Sequence, residues 1–240
     1  MRTDRAAFAD NKKVIRKLLL LLLLTIPLLA GAQGVLRGNV RVELEPMQGF
    51  YMDVHFPLDH DTAYTRALEL AALLFSAQIY GWSFHFDIGE RARGIAEEFE
   101  LTPMGEIFWG DPRLFVTKAY FHNHNLSLWA DYRPAEHQQR RLAMWSKGNI
   151  RAVQGTGFAF VGGGSAEEAE WLSVRKRALE DAARTAVRAM LQGSERNRPR
   201  QATGYISLER FPRFWIDSGR WAAHARFRVE VRDIIPFAVH

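Results

Sequence analysis

The sequence contains no cysteine. Disulfide bonds are therefore excluded, and so is lipid attachment through a lipobox cysteine, so the folded chain depends on its hydrophobic core for stability. Long apolar runs are also scarce. Leu18–Leu29 is an apolar stretch of twelve residues interrupted only by Thr25, whereas a helix needs about 20 apolar residues to span a bilayer comfortably.

Catalytic motifs are equally scarce. The sequence has no nucleophile elbow, no HExxH motif and no recognisable Ser/His/Asp spacing. Two glycine clusters, Gly155–Gly157 and Gly162–Gly164, do not have the spacing of a dinucleotide or P-loop motif. They favour a strand bulge and a tight turn. With none of these motifs present, we expect the chain not to be an enzyme.

The first 32 residues have the layout of a secretory signal peptide. A basic segment precedes the apolar stretch, and the small residues Ala30-Gly31-Ala32 follow it. We expect cleavage after Ala32 and a periplasmic or secreted protein. An uncleaved membrane anchor is the alternative.

Charge is unevenly distributed along the rest of the chain. The leader holds six of the 32 basic residues and two of the 27 acidic ones, so the remainder is nearly neutral. Residues 33–146 carry 10 basic and 15 acidic residues, and residues 147–240 carry 16 and 10. The high isoelectric point therefore does not indicate nucleic-acid binding, and the two halves have opposite net charge.

A heptad is repeated almost unchanged along the chain. Arg177–Ala183 and Arg66–Ala72 share six of seven residues at an offset of 111. Each lies in a predicted amphipathic helix, Ala166–Gln192 and Thr62–Tyr80, preceded and followed by predicted strands. The sequence predicts an α+β fold of two related modules, 33–146 and 147–240, each with a helix packed on an antiparallel sheet.

The other elements follow from periodicity and turn residues. Asp59 or Asp61 is expected to cap the first helix and Gly81 to end it. We predict a weaker helix at Glu90–Phe99, a linker or short helix at Pro134–Ser146 and a basic loop at Glu195–Arg200. The predicted strands are Gln33–Pro46, Gly49–Pro57, Trp82–Phe86, Glu100–Trp109, Arg113–Phe121, Asn125–Tyr132, Asn149–Gly162, Ala202–Phe211 and Trp221–Ile234.

Few residue groups indicate a site. Five arginines could bind an anion or an acidic partner if the helix face and the loop after it meet: Arg184, Arg188, Arg196, Arg198 and Arg200. Aromatic residues could line a ligand groove, and the candidates are Trp82, His85 and Trp109. A solvated loop and core packing are the competing interpretations. His122 and His124 favour a hairpin turn over a metal site, and we predict no metal or cofactor.

The second half also resembles a known type of module. The glycine-bearing strand at Gly155–Ala159 and the Arg/Ala helix with Ala178, Ala182, Ala183 and Ala186 resemble strand–helix–strand–strand modules of bacterial periplasmic proteins. Examples are the amino-terminal domain of flagellar assembly protein T and the Helicobacter-type lipoprotein-twenty family. The resemblance covers about Asn149–Ile234 and implies a binding or structural role, although this chain lacks the lipobox cysteine.

These observations lead to two hypotheses. The first is an exported, non-catalytic envelope protein, possibly flagellum-associated, that acts as a scaffold or partner-binding module. Its partner would be an envelope protein or a second copy, not nucleic acid, and it would meet the membrane only through an uncleaved signal peptide. The second is a periplasmic hydrolase, or a glycan- or ligand-binding protein, with a site between the modules.

Overall fold

The computed structural model describes residues 34–45, 57–89, 94, 96–160, 170–194 and 199–236. The chain from Val35 onward forms one compact unit. The described residues form three helices, α1 (His60–Ile79), α2 (Glu136–Met144) and α3 (Glu170–Ser194). None of these helices is long and apolar enough to cross a membrane. The nine strands are β1 (Leu36–Glu43), β2 (Trp82–Asp87), β3 (Glu98–Pro103), β4 (Leu114–His122), β5 (Asn125–Tyr132), β6 (Arg151–Phe160), β7 (Pro199–Leu208), β8 (Arg213–Asp217) and β9 (Arg220–Pro236).

The strands form two antiparallel sheets, which confirms the predicted α+β class. One sheet has three strands in the order β1-β5-β4. The other has six, with β3-β2-β7-β9-β6 in a row and β8 paired to β9 beyond the end of β7. Every pairing in both sheets is antiparallel.

The six-stranded sheet crosses the predicted module boundary between residues 146 and 147. Its β2 and β3 come from the first half of the chain and its other strands from the second. The link is the pairing of β2 with β7, in which Trp82 lies opposite Ile206. The two halves therefore share one sheet, and the two helices that carry the repeated heptad pack in different surroundings.

Helix α1 is buried on most sides, as its nearly continuous apolar pattern predicts. Asp59 caps it, because its carboxylate accepts a hydrogen bond of 2.8 Å from the Thr62 N–H. Gly81 follows its end with a positive φ of 67°, the left-handed conformation that favours glycine. The helix contacts β1 and β5 of the smaller sheet and β7 of the larger one, so it lies between the two sheets.

Helix α3 packs directly on β6 through glycine and alanine. A Cβ atom added to Gly155 or Gly157 would overlap the backbone of Ala182. The predicted strand bulge at these glycines is wrong, because β6 pairs with β9 without a shift in register. The glycines instead provide space for close approach of the helix, and Ala178, Ala182 and Ala186 are fully buried against the sheet.

Several predicted boundaries need correction. Glu98 and Phe99, the end of the predicted helix Glu90–Phe99, belong to strand β3, where Phe99 and Leu101 alternate with glutamates. Strand β3 ends at Pro103, well before the predicted Trp109. Arg200 lies in β7 and not in a loop, and α3 continues past Gly193 to Ser194.

Other predictions have mixed outcomes. The linker-or-helix segment contains α2, and Asn123 and His124 form the hairpin turn between β4 and β5 with positive φ angles. Strand β8 was not predicted, although Ser218 and Gly219 provide a turn between it and β9. The predicted strand Gly49–Pro57 and the turn at Gly162–Ser165 lie almost wholly outside the described residues.

An ion pair fastens β1 to β5 on the outer face of the smaller sheet. Arg37 Nε and Nη2 each donate a hydrogen bond of 2.7 Å to a carboxylate oxygen of Asp131. These hydrogen bonds hold the pKa of Asp131 below its usual range, against the opposing effect of burial.

We expect Asp131→Asn to lower the free energy of unfolding by about 1.5 kcal/mol at pH 7. Because the folded pKa lies below the unfolded value of about 3.9, the stabilisation is complete above that value and is lost as the pH falls through the folded pKa. Urea unfolding of both proteins at pH 7 and pH 3 checks this. Asp217→Asn, in an exposed 3.7 Å pair with Arg220, is the control. If the difference in unfolding free energy between wild type and Asp131→Asn were the same at both pH values, the lowered pKa of Asp131 would be contradicted.

Candidate functional site: a basic groove beside the larger sheet

A groove of about 460 Å³ lies between the larger sheet and the segment that connects β5 to β6. Tyr205 of β7 and Glu230 of β9 are register partners, and with Arg232 they line its sheet side. Helix α2 and residues 145–150 line the other side, and Met104, just after β3, completes it. The volume falls within the range of about 300–1,000 Å³ that is typical of small-molecule sites.

A buried polar network holds α2 in place. Gln138 is almost fully buried, and its amide nitrogen donates hydrogen bonds of 2.9 Å to the hydroxyls of Tyr80 and Tyr132. Its amide oxygen accepts one of 2.8 Å from the Ala135 N–H at the start of the helix. Burial raises the pKa of Tyr132, whose hydroxyl also lies 3.1 Å from an Asp111 carboxylate oxygen. The network ties the first turn of α2 to α1 and β5.

Trp145 fixes the segment after α2. Its ring is buried, and its Nε1–H donates a hydrogen bond of 3.0 Å to the carbonyl of Ile79 at the end of α1. Gln138 and Trp145 thus anchor the two ends of α2. Arg141 and Met144 lie between these two anchors in the chain, and both line the groove.

The groove combines apolar surface with excess positive charge. Its cations are Arg141, Lys147 and Arg232. Its one carboxylate, Glu230, forms an ion pair of 3.2 Å with Arg232, which leaves a formal charge of +2 along the lining. The apolar part comes from Met104, Met144, Trp145, Ile150 and the ring of Tyr205.

Arg141 stands out because its guanidinium is poorly satisfied. Its Nη2 lies 3.0 Å from the sulfur of Met104, a weak acceptor. Its Nε is buried and has no hydrogen-bond partner among the described residues. Because a thioether is a weak acceptor, Nη2 of this groove-lining guanidinium would gain from a charge-assisted hydrogen bond to an anion.

Three of the five residues of the predicted arginine site are described by the structure, and two of them are paired with carboxylates. Arg184 and Arg188 both form ion pairs with Glu97, and Arg184 also donates to Asp181. The positive charges of these two arginines are balanced by the negative charges of the two carboxylates. Arg200 lies in β7 with its side chain exposed. Arg196 and Arg198 lie outside the described residues.

The three candidates for the aromatic groove occupy different surroundings. Trp82 is buried on the core side of β2. His85, three residues later, is on the opposite side and contacts Gln201 at 2.8 Å. Trp109 is 64% exposed in the connection between β3 and β4. Within the part of the chain that the structure describes, no cluster of three metal-ligating residues is present.

Sequence reasoning missed the groove. Its residues come from four separate parts of the chain: residue 104, residues 141–150, residue 205 and residues 230–232. The available signal was compositional, because the Pro134–Ser146 segment is rich in arginine and glutamine. Nothing in its spacing indicates that it lies beside β7 and β9.

Comparison with known proteins places the chain in a protein family. A protein-family model matches residues 27–237, which is most of the chain. The chain belongs to this family. The family is one of uncharacterised proteins, so membership assigns no activity.

One relative shows how far the sequence has diverged. An uncharacterised protein of Treponema pallidum (strain Nichols) is 26% identical over 178 residues, which cover 72% of this chain and 69% of the relative. No solved structure matches the chain significantly.

Proposed function

We propose that this is an exported, non-catalytic protein of the bacterial cell envelope that acts as a partner-binding module through the groove beside α2. The observation that carries the proposal is the composition of the groove, which joins apolar walls to three cations, one of which is the incompletely hydrogen-bonded Arg141. Such a lining is suited to binding. Export is supported by the leader sequence, with cleavage expected after Ala32.

The alternative of a hydrolase receives less support from the same groove. Its lining contains a single carboxylate, engaged by Arg232, and no histidine. Hydrolases commonly use a histidine or a pair of carboxylates around the scissile bond, and this lining supplies neither. The other part of the alternative, a glycan- or ligand-binding protein, is compatible with the groove, because residues from both halves of the sequence line it.

Site-specific photo-cross-linking in producing cells tests the proposal. A benzoylphenylalanine placed at Met144, which is 46% exposed at the groove, is expected to give a discrete adduct with an envelope protein, a second copy or a small ligand. Mass spectrometry of the same sample should find a mature chain that begins at Gln33.

The matched control is the same probe at Arg140, which lies on α2 outside the groove and pairs with Glu136 on the exposed side. An adduct specific to position 144 supports the proposal. Equal labelling at both positions, or a protein retained in the cytoplasm, would refute it.

A further inference from the structure

From the charges and shape of the groove, we infer that its occupant is a phosphate monoester that carries an apolar chain. The inference rests on the proposed binding function and names the ligand class. It depends on three features of the lining: the unsatisfied guanidinium, the net charge and the methionine-rich wall.

Arg141 provides the anchor for an anion. A guanidinium presents a planar set of donors that matches two oxygens of a phosphate or carboxylate. In this structure its Nε has no acceptor, and its Nη2 contacts only a thioether sulfur among the hydrogen bonds described. A bound anion would replace the weak thioether contact of Nη2 by a charge-assisted hydrogen bond.

The charge of the groove favours phosphate over carboxylate. Lys147 and Arg232 lie on the same lining as Arg141, and Glu230 offsets one of the three positive charges. The remaining charge of +2 matches a phosphate monoester, which carries about −1.5 to −2 at pH 7. A carboxylate would leave about one positive charge uncompensated.

The apolar wall favours a chain over a free ion. Met104 and Met144 face the groove together with Ile150 and Trp145. Methionine side chains are flexible and polarisable, so they adapt to apolar chains of varied shape. Inorganic phosphate would leave this wall without a partner, whereas an alkyl phosphate would cover it and bind more tightly.

Isothermal titration of the mature protein with decyl phosphate, below its micelle concentration, tests the inference. Decanoate and inorganic phosphate are the comparison ligands, and each is expected to bind at least about tenfold more weakly. Arg141→Gln should weaken decyl phosphate binding about 10- to 100-fold, the range that corresponds to losing charge-assisted hydrogen bonds. Arg140→Gln should change it less than twofold. Arg141→Lys, which keeps the charge, should be intermediate.

The outcomes separate the ligand class from the binding function. Equal binding of decanoate and decyl phosphate, or an Arg141→Gln variant that folds normally by circular dichroism and binds as wild type, would overturn the inference. If decyl phosphate does not bind while the adduct at position 144 is present, the ligand class is wrong and the proposed function stands. If both fail, the groove is not a binding site.

Discussion

Replacing Arg175 with alanine is expected to lower the free energy of unfolding by about 4 kcal/mol. The side chain is 1% exposed, and its guanidinium lies between the rings of Trp171 and Trp221, 3.8 Å from each centroid. It donates to the Trp171 carbonyl at 2.9 Å and to the Glu43 carboxylate at 2.5 Å. Alanine would leave a cavity between two indoles and remove the bond between α3 and β1.

Urea unfolding followed by tryptophan fluorescence measures this loss. Lys176→Ala is the matched control, because its side chain is half exposed and its contact with Glu180 is 4.0 Å. We expect it to cost less than about 0.5 kcal/mol. Glu43→Gln should be intermediate, since it removes the charge pair and keeps the stacked guanidinium. A loss below about 1 kcal/mol for Arg175→Ala would show that the stacked arginine is not important for stability.

The second large effect is expected from Gly157→Ala. The added methyl group would overlap the backbone of Ala182. Helix α3 would therefore have to move away from β6 at the point where the two are closest. Overpacking of this kind costs about 1–3 kcal/mol and occasionally more. We expect about 3 kcal/mol, because the atoms that it meets are backbone atoms of a helix, which cannot rotate away.

Gly148→Ala is the control for this substitution. A Cβ added at Gly148 would meet open space, and Gly148 does not have a positive φ angle. Its stability should be unchanged or slightly higher, because alanine reduces the entropy of the unfolded chain. Chemical denaturation of the two variants and of wild type measures both changes in the free energy of unfolding. If both variants are as stable as wild type, α3 does not approach β6 as closely as the structure shows.

Local structure was predicted well where the sequence signal was itself local. Asp59 and Gly81 delimit α1, and its nearly continuous apolar pattern predicts burial on most sides. The turn at Asn123 and His124 follows from polar residues between two alternating strands. The signals for strand β3 were weaker, because charged residues surround Phe99 and Leu101, and its glutamates also suit a helix.

The arrangement of the strands could not be predicted in the same way. Pairing of β2 with β7 joins residues about 120 positions apart, and no short-range pattern specifies such a partner. The repeated heptad favoured two separate modules, yet α1 lies between two sheets while α3 covers β6 and β9. Nearly identical short sequences can therefore occupy different packing environments.

The groove illustrates the same limit. Arg141 has no motif around it, and its unsatisfied Nε is evident only once Met104, Gln138 and Trp145 are placed. Conversely, Arg184 and Arg188 have the helical spacing of an exposed basic face, but Glu97 lies next to both. A basic pattern in sequence does not show which cations already have acidic partners.

Gly148→Trp tests most directly whether this groove is the binding surface. Gly148 lines the groove and has open space at its Cβ position, so an indole there should obstruct the groove while leaving the fold intact. The measurement is the photo-adduct at position 144 in cells that produce the Gly148→Trp protein. We predict that the adduct disappears at normal protein levels. An undiminished adduct in the obstructed protein would contradict the claim.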